Sequence, residues 1–280
     1  MSFGRLGALG RGFGRLGGLL GSPGGAPSST YTLTAGVGSF VLTGDNMTPL
    51  VDYRIPAAVG AFTLTGQDAT LTASAPSFSL TNTDSAVDNS NTTTITFSAK
   101  SFGATGSNRR IIIVFFGRTS NTVLTSVTVG GVNATAVSGA AGINTNTTLS
   151  NIYITDSDPS GTSGNVVIVG PAAILRCGIG IYRLITTTPT ASASGNQVSV
   201  GASSRSTTIT VPSGGAGLNV YGSRDTAADP TWTNATKDFG LNITTGGNIS
   251  GAITIGTGSI TVTGAATVNE CALSSAAWGP

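Results

Sequence analysis

Beyond residue 86, the apolar positions of this chain fall into short runs in which Val, Ile, Leu and Phe alternate with Thr, Ser or Gly. A period of two places the apolar set on one face of an extended strand. Such runs occupy 92–98, 110–116, 123–129, 149–155, 165–169, 178–185, 197–201, 207–211, 217–221, 252–255, 259–263 and 271–277. They recur roughly every ten residues with Gly, Asn, Asp or Pro between them, the spacing of an antiparallel sandwich or jelly roll. The pattern predicts an all-β fold with an antiparallel β-sandwich or jelly-roll body over 86–280.

Two runs carry more detail. Residues 110–116 read Arg-Ile-Ile-Ile-Val-Phe-Phe without a polar interruption. Continuous apolarity predicts a central strand covered on both faces. Residues 178–185 alternate, so Cys177, Ile179, Ile181 and Arg183 should share one side and Tyr182 and Leu184 the other.

The region 30–85 holds an internal repeat. Gly38, Phe40, Leu42, Thr43 and Gly44 return as Gly60, Phe62, Leu64, Thr65 and Gly66, a period of 22 residues (62 − 40), and Phe78-Ser-Leu80 is a weaker echo. Each unit is too short to bury its own apolar face, so the units must stack on each other or on neighbouring chains. This predicts a small β-repeat collar or stalk.

Residues 1–29 form a third region. Gly4-Arg5-Leu6-Gly7 recurs as Gly14-Arg15-Leu16-Gly17, with Arg11-Gly12-Phe13 between. So glycine-rich a peptide does not recover the entropy of ordering itself. One reading is a flexible tail. The other is an extended docking arm, ordered only against a partner. Its apolar anchors Leu6, Leu9, Phe13, Leu16, Leu19 and Leu20 would fill partner pockets, and Arg5, Arg11 and Arg15 would pair with partner carboxylates. The segment lacks the continuous apolar stretch of about 7–15 residues that a signal peptide needs.

Composition supports these elements. Lys100 and Lys237 are the only lysines and Glu270 is the only glutamate, so wet helix faces have little to be made from. Glycine numbers 41, about twice the usual share, and predicts tight turns. The formal net charge is +2, and its excess sits in the arm, which has no acid before Asp45. The whole chain is only 9% charged, and so weakly charged and nearly neutral a body is poor material for gripping nucleic acid and has little protection against self-association. No run approaches the ~18 apolar residues of a spanning helix, so no membrane span is expected. Cys177 and Cys271 are the only cysteines. They read as two buried small hydrophobes or as one disulfide.

Candidate chemistry is sparse. The chain has no histidine, which removes the Ser-His-Asp and Cys-His arrangements and the commonest zinc ligand. No cofactor is implied, and no Gly-rich stretch has the phosphate-loop pattern. The close acidic pairs are Asp156/Asp158, Asp84/Asp88 and Asp225/Asp229; paired carboxylates leave glycoside hydrolysis as a minor reading. The loop Asp156-Ser-Asp158-Pro-Ser-Gly161 could coordinate calcium, but an Asx-type turn with aspartates capping backbone N–H groups is the favoured reading. Trp232 lies in the polar stretch 228–234, where it either meets a sugar or partner or plugs the end of the sandwich. Tyr221, Arg224 and Asp225 just precede it. This stretch and the 156–161 loop are the candidate binding surfaces.

The leader Met1-Ser-Phe-Gly-Arg-Leu-Gly-Ala-Leu-Gly-Arg-Gly-Phe-Gly-Arg-Leu-Gly17, followed by Leu33-Thr-Ala-Gly-Val-Gly-Ser-Phe-Val-Leu-Thr-Gly44, resembles structural proteins of tailed phages and prophages of alphaproteobacteria. Arg109–Arg110, Thr125-Ser-Val-Thr-Val-Gly-Gly131 and Arg176-Cys-Gly-Ile-Gly-Ile-Tyr182 resemble β-sandwich domains of phage fibres. The resemblance implies a short fibre, spike, head-fibre or decoration protein in the virion, assembled in the bacterial host cytoplasm. It implies an N-terminal dock on capsid, portal-proximal or tail proteins, a homotrimer, and an outward β domain that meets a host-surface glycan or protein. It carries no catalytic residues. The alternative reading is a bacterial cell-surface or secreted adhesin or carbohydrate-binding protein.

Overall fold

The computed structural model of the chain describes residues 40–43, 62–65, 78–118, 123–144, 148–200, 204–224, 229–243, 247–267 and 270–280. The arm, 1–29, lies outside them. Every regular element among the described residues is a β-strand, and the chain divides into two compact units at 75/76.

In the first unit, β1 (Phe40–Thr43) pairs in parallel with β2 (Phe62–Thr65). Phe40 stands opposite Phe62, Leu42 opposite Leu64 and Thr43 opposite Thr65. The 22-residue repeat is thus also a structural period: like positions of successive units meet across the ladder.

The second unit holds three antiparallel sheets. The largest comprises β3 (Ser79–Asp88), β4 (Thr92–Ser101), β5 (Arg109–Arg118), β6 (Ser126–Val129), β7 (Val132–Ala136), β8 (Gly142–Asn144), β9 (Thr148–Thr155), β10 (Ser163–Ile174) and β11 (Arg176–Ile185). Its strand order is β3-β11-β5-β9-β7-β6-β10-β4, with β8 beside β9. Side chains draw the two end strands together. Thr83 Oγ1 donates to the Ser101 carbonyl at 2.9 Å, and the Ser101 N–H donates to Asp84 Oδ2 at 2.9 Å. The sheet is therefore a nearly closed barrel. Because β3 pairs with β11, the last residues of the expected collar belong to this body.

As the uninterrupted run 110–116 predicts, β5 is buried on both faces. Ile111, Ile113 and Phe115 point into the barrel with Ile95, Phe97, Val129 and Ile168. Ile112, Val114 and Phe116 point outward. Its neighbour β11 follows the predicted division, with Cys177, Ile179 and Ile181 inside and Tyr182 and Leu184 outside.

The outer face of that wall packs on a second sheet, made of β12 (Ala193–Val200), β14 (Ala216–Ser223), β16 (Thr236–Ile243), β17 (Gly247–Ile255) and β19 (Glu270–Trp278) in the order β12-β19-β14-β17-β16. Leu218, Val220, Ile249, Ala276 and Trp278 meet the barrel wall, completing a sandwich. The opposite face of this middle sheet is covered by a third, β13 (Ser204–Val211), β18 (Gly258–Ala265) and β15 (Thr231–Thr233), through Tyr221, Leu273 and Ala277 against Trp232, Ile209 and Val211.

This layering corrects the reading of glycine as a turn former alone. The middle sheet is covered on both sides, so its strands carry small residues where a neighbour intrudes. A Cβ on Gly222 would lie 1.9 Å from Phe116 Cδ2, and one on Gly180 of the barrel 2.2 Å from Phe239 Cε1. Neither ring is the end of a flexible chain, so neither site has room for a methyl. The cysteines lie in different layers, Cys177 in the barrel and Cys271 under the third sheet, and both are buried with no disulfide. Burial pushes the Cys177 thiol pKa far up, with the nearby Asp88 carboxylate adding to the effect.

Gly222→Ala forces Phe116 or a strand to shift and should cost about 1–3 kcal/mol, the usual penalty of overpacking. Urea unfolding measures this; an unchanged midpoint would mean that the two layers do not meet at this contact.

Candidate functional site

The structure separates the expected binding surfaces. The 156–161 loop is exposed, but it forms no Asx turn and its oxygens do not stand free for calcium. Its groups gather around Arg109, whose side chain is wholly buried. Arg109 Nε donates to Asp158 Oδ1 at 2.6 Å, Nη2 to the carbonyls of Gly161 (2.7 Å) and Pro159, and Nη1 to the Gly103 carbonyl (3.2 Å). These are the oxygens a hard cation would take, and a guanidinium holds them instead. Asp156 stands apart, accepting from Thr135 Oγ1 at 2.7 Å. The aspartates thus bind side chains rather than capping backbone N–H groups. The period-two pattern held a signal for this: Arg109 shares a β5 face with Ile111, Ile113 and Phe115, so its guanidinium is carried inward.

The second surface is the end of the layer between the middle and third sheets. Arg205 on β13 stands opposite Gly264 on β18, and Gly264 opposite Trp232 on β15. Directly opposed residues share a face. Gly264 leaves a gap between Arg205 and Trp232, and the Tyr221 ring from β14 fills it. A Cβ at Gly264 would lie 2.7 Å from Tyr221 Cδ2. Tyr221 and Trp232 meet edge to face, with ring centroids 6.4 Å apart at 79°.

Trp232 is half-buried and lies in a strand rather than a loop. Its indole N–H donates to Ser250 Oγ at 3.1 Å, and Ser250 donates to the Phe239 carbonyl at 2.9 Å. It covers Tyr221 in the layer between the middle and third sheets, on the face of the middle sheet away from the barrel, so it does not close the end of the sandwich. Tyr221 is not a surface residue: it is fully buried beneath that indole. Burial raises its hydroxyl pKa well above the ordinary value, Cys271 adds to the rise, and the Arg205 charge opposes it. Arg224 pairs with Glu270, Nη1 to Oε2 at 2.7 Å. Asp225 lies outside the described residues.

Sequence reasoning missed Arg205. Its guanidinium is tied at Nη1 to the Ser204 carbonyl, but Nε and Nη2 are shielded from solvent without a hydrogen-bond partner. The Tyr221 hydroxyl is likewise buried and makes no close hydrogen bond, with Cys271 and the Ala266 backbone beside it. The alternation of Arg205, Thr207, Ile209 and Val211 was the available signal, since it places Arg205 on the inward face of β13.

Compared with known protein families, curated proteins and solved structures, the chain gives no match.

Arg109→Met should cost about 3 kcal/mol, because Asp158 and several carbonyls lose their donors. The same urea series in millimolar calcium should leave the wild-type midpoint in place. A calcium-dependent rise would contradict the reading that Arg109 has taken the loop's oxygens.

Proposed function

We propose that the chain is a non-enzymatic structural subunit of a phage virion, docked through residues 1–29 and projecting its β body outward. The observation that carries this reading is the β1–β2 pair. An isolated two-stranded sheet is marginal in water and gains stability from further strands. Here one repeat already pairs with the next in register, Phe40 opposite Phe62. A second copy of the chain offers the same sequence in the same register, which suits a collar shared by a homotrimer.

The body's ionisable groups support a structural role. Arg109 with Asp158, Arg224 with Glu270, Lys237 with Asp229 and Lys100 with Asp84 form pairs within the fold. The arm is the proposed dock onto a capsid, portal-proximal or tail protein. Fully extended, its 29 residues span about 95 Å at roughly 3.3 Å each.

Removal of residues 1–25 tests the proposal in a phage that carries the gene. The shortened protein should accumulate folded in the host cytoplasm and be missing from purified particles. Unchanged incorporation would overturn the docking role.

A further inference from the structure

We propose that Arg205 and Tyr221, behind Trp232, form an oxyanion site that takes the carboxylate or sulfate group of an acidic ligand. The proposal stands apart from the assembly reading, since it rests only on the interior of the body. A guanidinium stays charged at any pH the protein meets. Shielding part of that charge without an acceptor is costly, so a buried, unpaired edge of this kind calls for an anion.

The donors fit one. Nε–H and Nη2–H lie on one edge of the guanidinium plane and point the same way, matching the two oxygens of a carboxylate or two oxygens of a sulfate. The Tyr221 hydroxyl makes no close hydrogen bond and can donate a third, turning from Cys271 and the Ala266 backbone beside it, and the Arg205 charge acts on it. Two acids of the same unit are engaged elsewhere: Glu270 accepts from Arg224 and Asp229 from Lys237. Among the described residues, no carboxylate pairs with Arg205.

Arg205 and Trp232 flank the Tyr221 ring and are each only partly buried, so the ligand reaches the guanidinium from the exposed side of Arg205 rather than through the filled gap. Trp232 lends an apolar ring edge beside the charge, and its own N–H is already used on Ser250. The arrangement therefore selects for the charged group and leaves the remainder of the ligand toward solvent.

Isothermal titration of the full chain with sodium glucuronate, sodium acetate, sodium sulfate and glucose tests the assignment. Either class of anion should bind while glucose does not. Glucuronate tighter than acetate would assign an acidic saccharide, equal affinities a bare carboxylate, and sulfate alone a sulfated group; each supports an oxyanion site. Arg205→Met should weaken binding by about tenfold or more, the value of one charge-assisted fork, and Tyr221→Phe by a smaller factor. Without ligand, Arg205→Met should be no less stable than wild type, because the unpaired charge is gone. Should that variant fail to fold, Arg205→Lys keeps the charge but loses the two-pronged edge and should still weaken binding several-fold. Binding of glucose equal to glucuronate, no heat with any anion, or affinity untouched by both Arg205 variants would overturn the proposal.

Discussion

The fold depends on one shared wall. β5 and β11 carry large apolar side chains on both faces, so the same two strands close the barrel core and form the floor on which the middle sheet sits. Burying apolar surface is worth roughly 25 cal/mol per Å², and a strand covered on both sides collects it twice along its length. The wall also explains why the body cannot be divided into barrel and sandwich. Removing the middle sheet would expose Ile112, Val114, Phe116, Tyr182 and Leu184 to water.

From that wall outward, size complementarity sets the layers. Phe116 projects where Gly222 has no side chain, Phe239 projects over Gly180, and the Tyr221 ring occupies the gap left by Gly264. The glycine content of the chain is in this sense a packing device as much as a source of turns. Some polar groups trapped between layers find partners, across them as when Ser150 Oγ lies 2.6 Å from Ser274 Oγ, or along one sheet as when Asn219 donates to Thr254 Oγ1 at 2.9 Å. Arg109 does the same for the 156–161 loop, replacing a metal with a side chain. Other buried oxygens also lack a partner, on Thr148, Asn219, Asn248 and Ser275, but the edge of Arg205 alone among these groups carries a full charge, and that is the reason a ligand is assigned there rather than at the exposed loops.

Much of this was legible in the pattern of residues. The uninterrupted run 110–116 foretold a strand covered on both faces, and the alternation in 178–185 foretold which side chains of β11 enter the barrel. The repeat of Phe40 and Leu42 as Phe62 and Leu64 foretold pairing of like units. Other elements left weaker traces. β16 reads Thr-Lys-Asp-Phe-Gly-Leu-Asn-Ile, an edge strand whose exposed residues dilute the apolar period. β7 and β8 are short and partnered only through the barrel, and β15 is defined by its ladder to β18. Closure of the barrel was hidden because it depends on Thr83, Asp84 and Ser101 meeting across the seam, which no local period encodes. Arg109 and Arg205 were visible only by counting alternate residues outward from their strands, because charge alone argues for the surface.

The central claim is that barrel, middle sheet and third sheet stand or fall together through the shared wall. Native-state amide hydrogen exchange tests it most directly. The account predicts that the slowest amides of β5 and β11 and those of β14 and β19 report one common opening free energy, equal to that of global unfolding. Early exchange of β14 and β19 while β5 and β11 stayed protected would contradict it, because the wall would then hold without the layer built upon it.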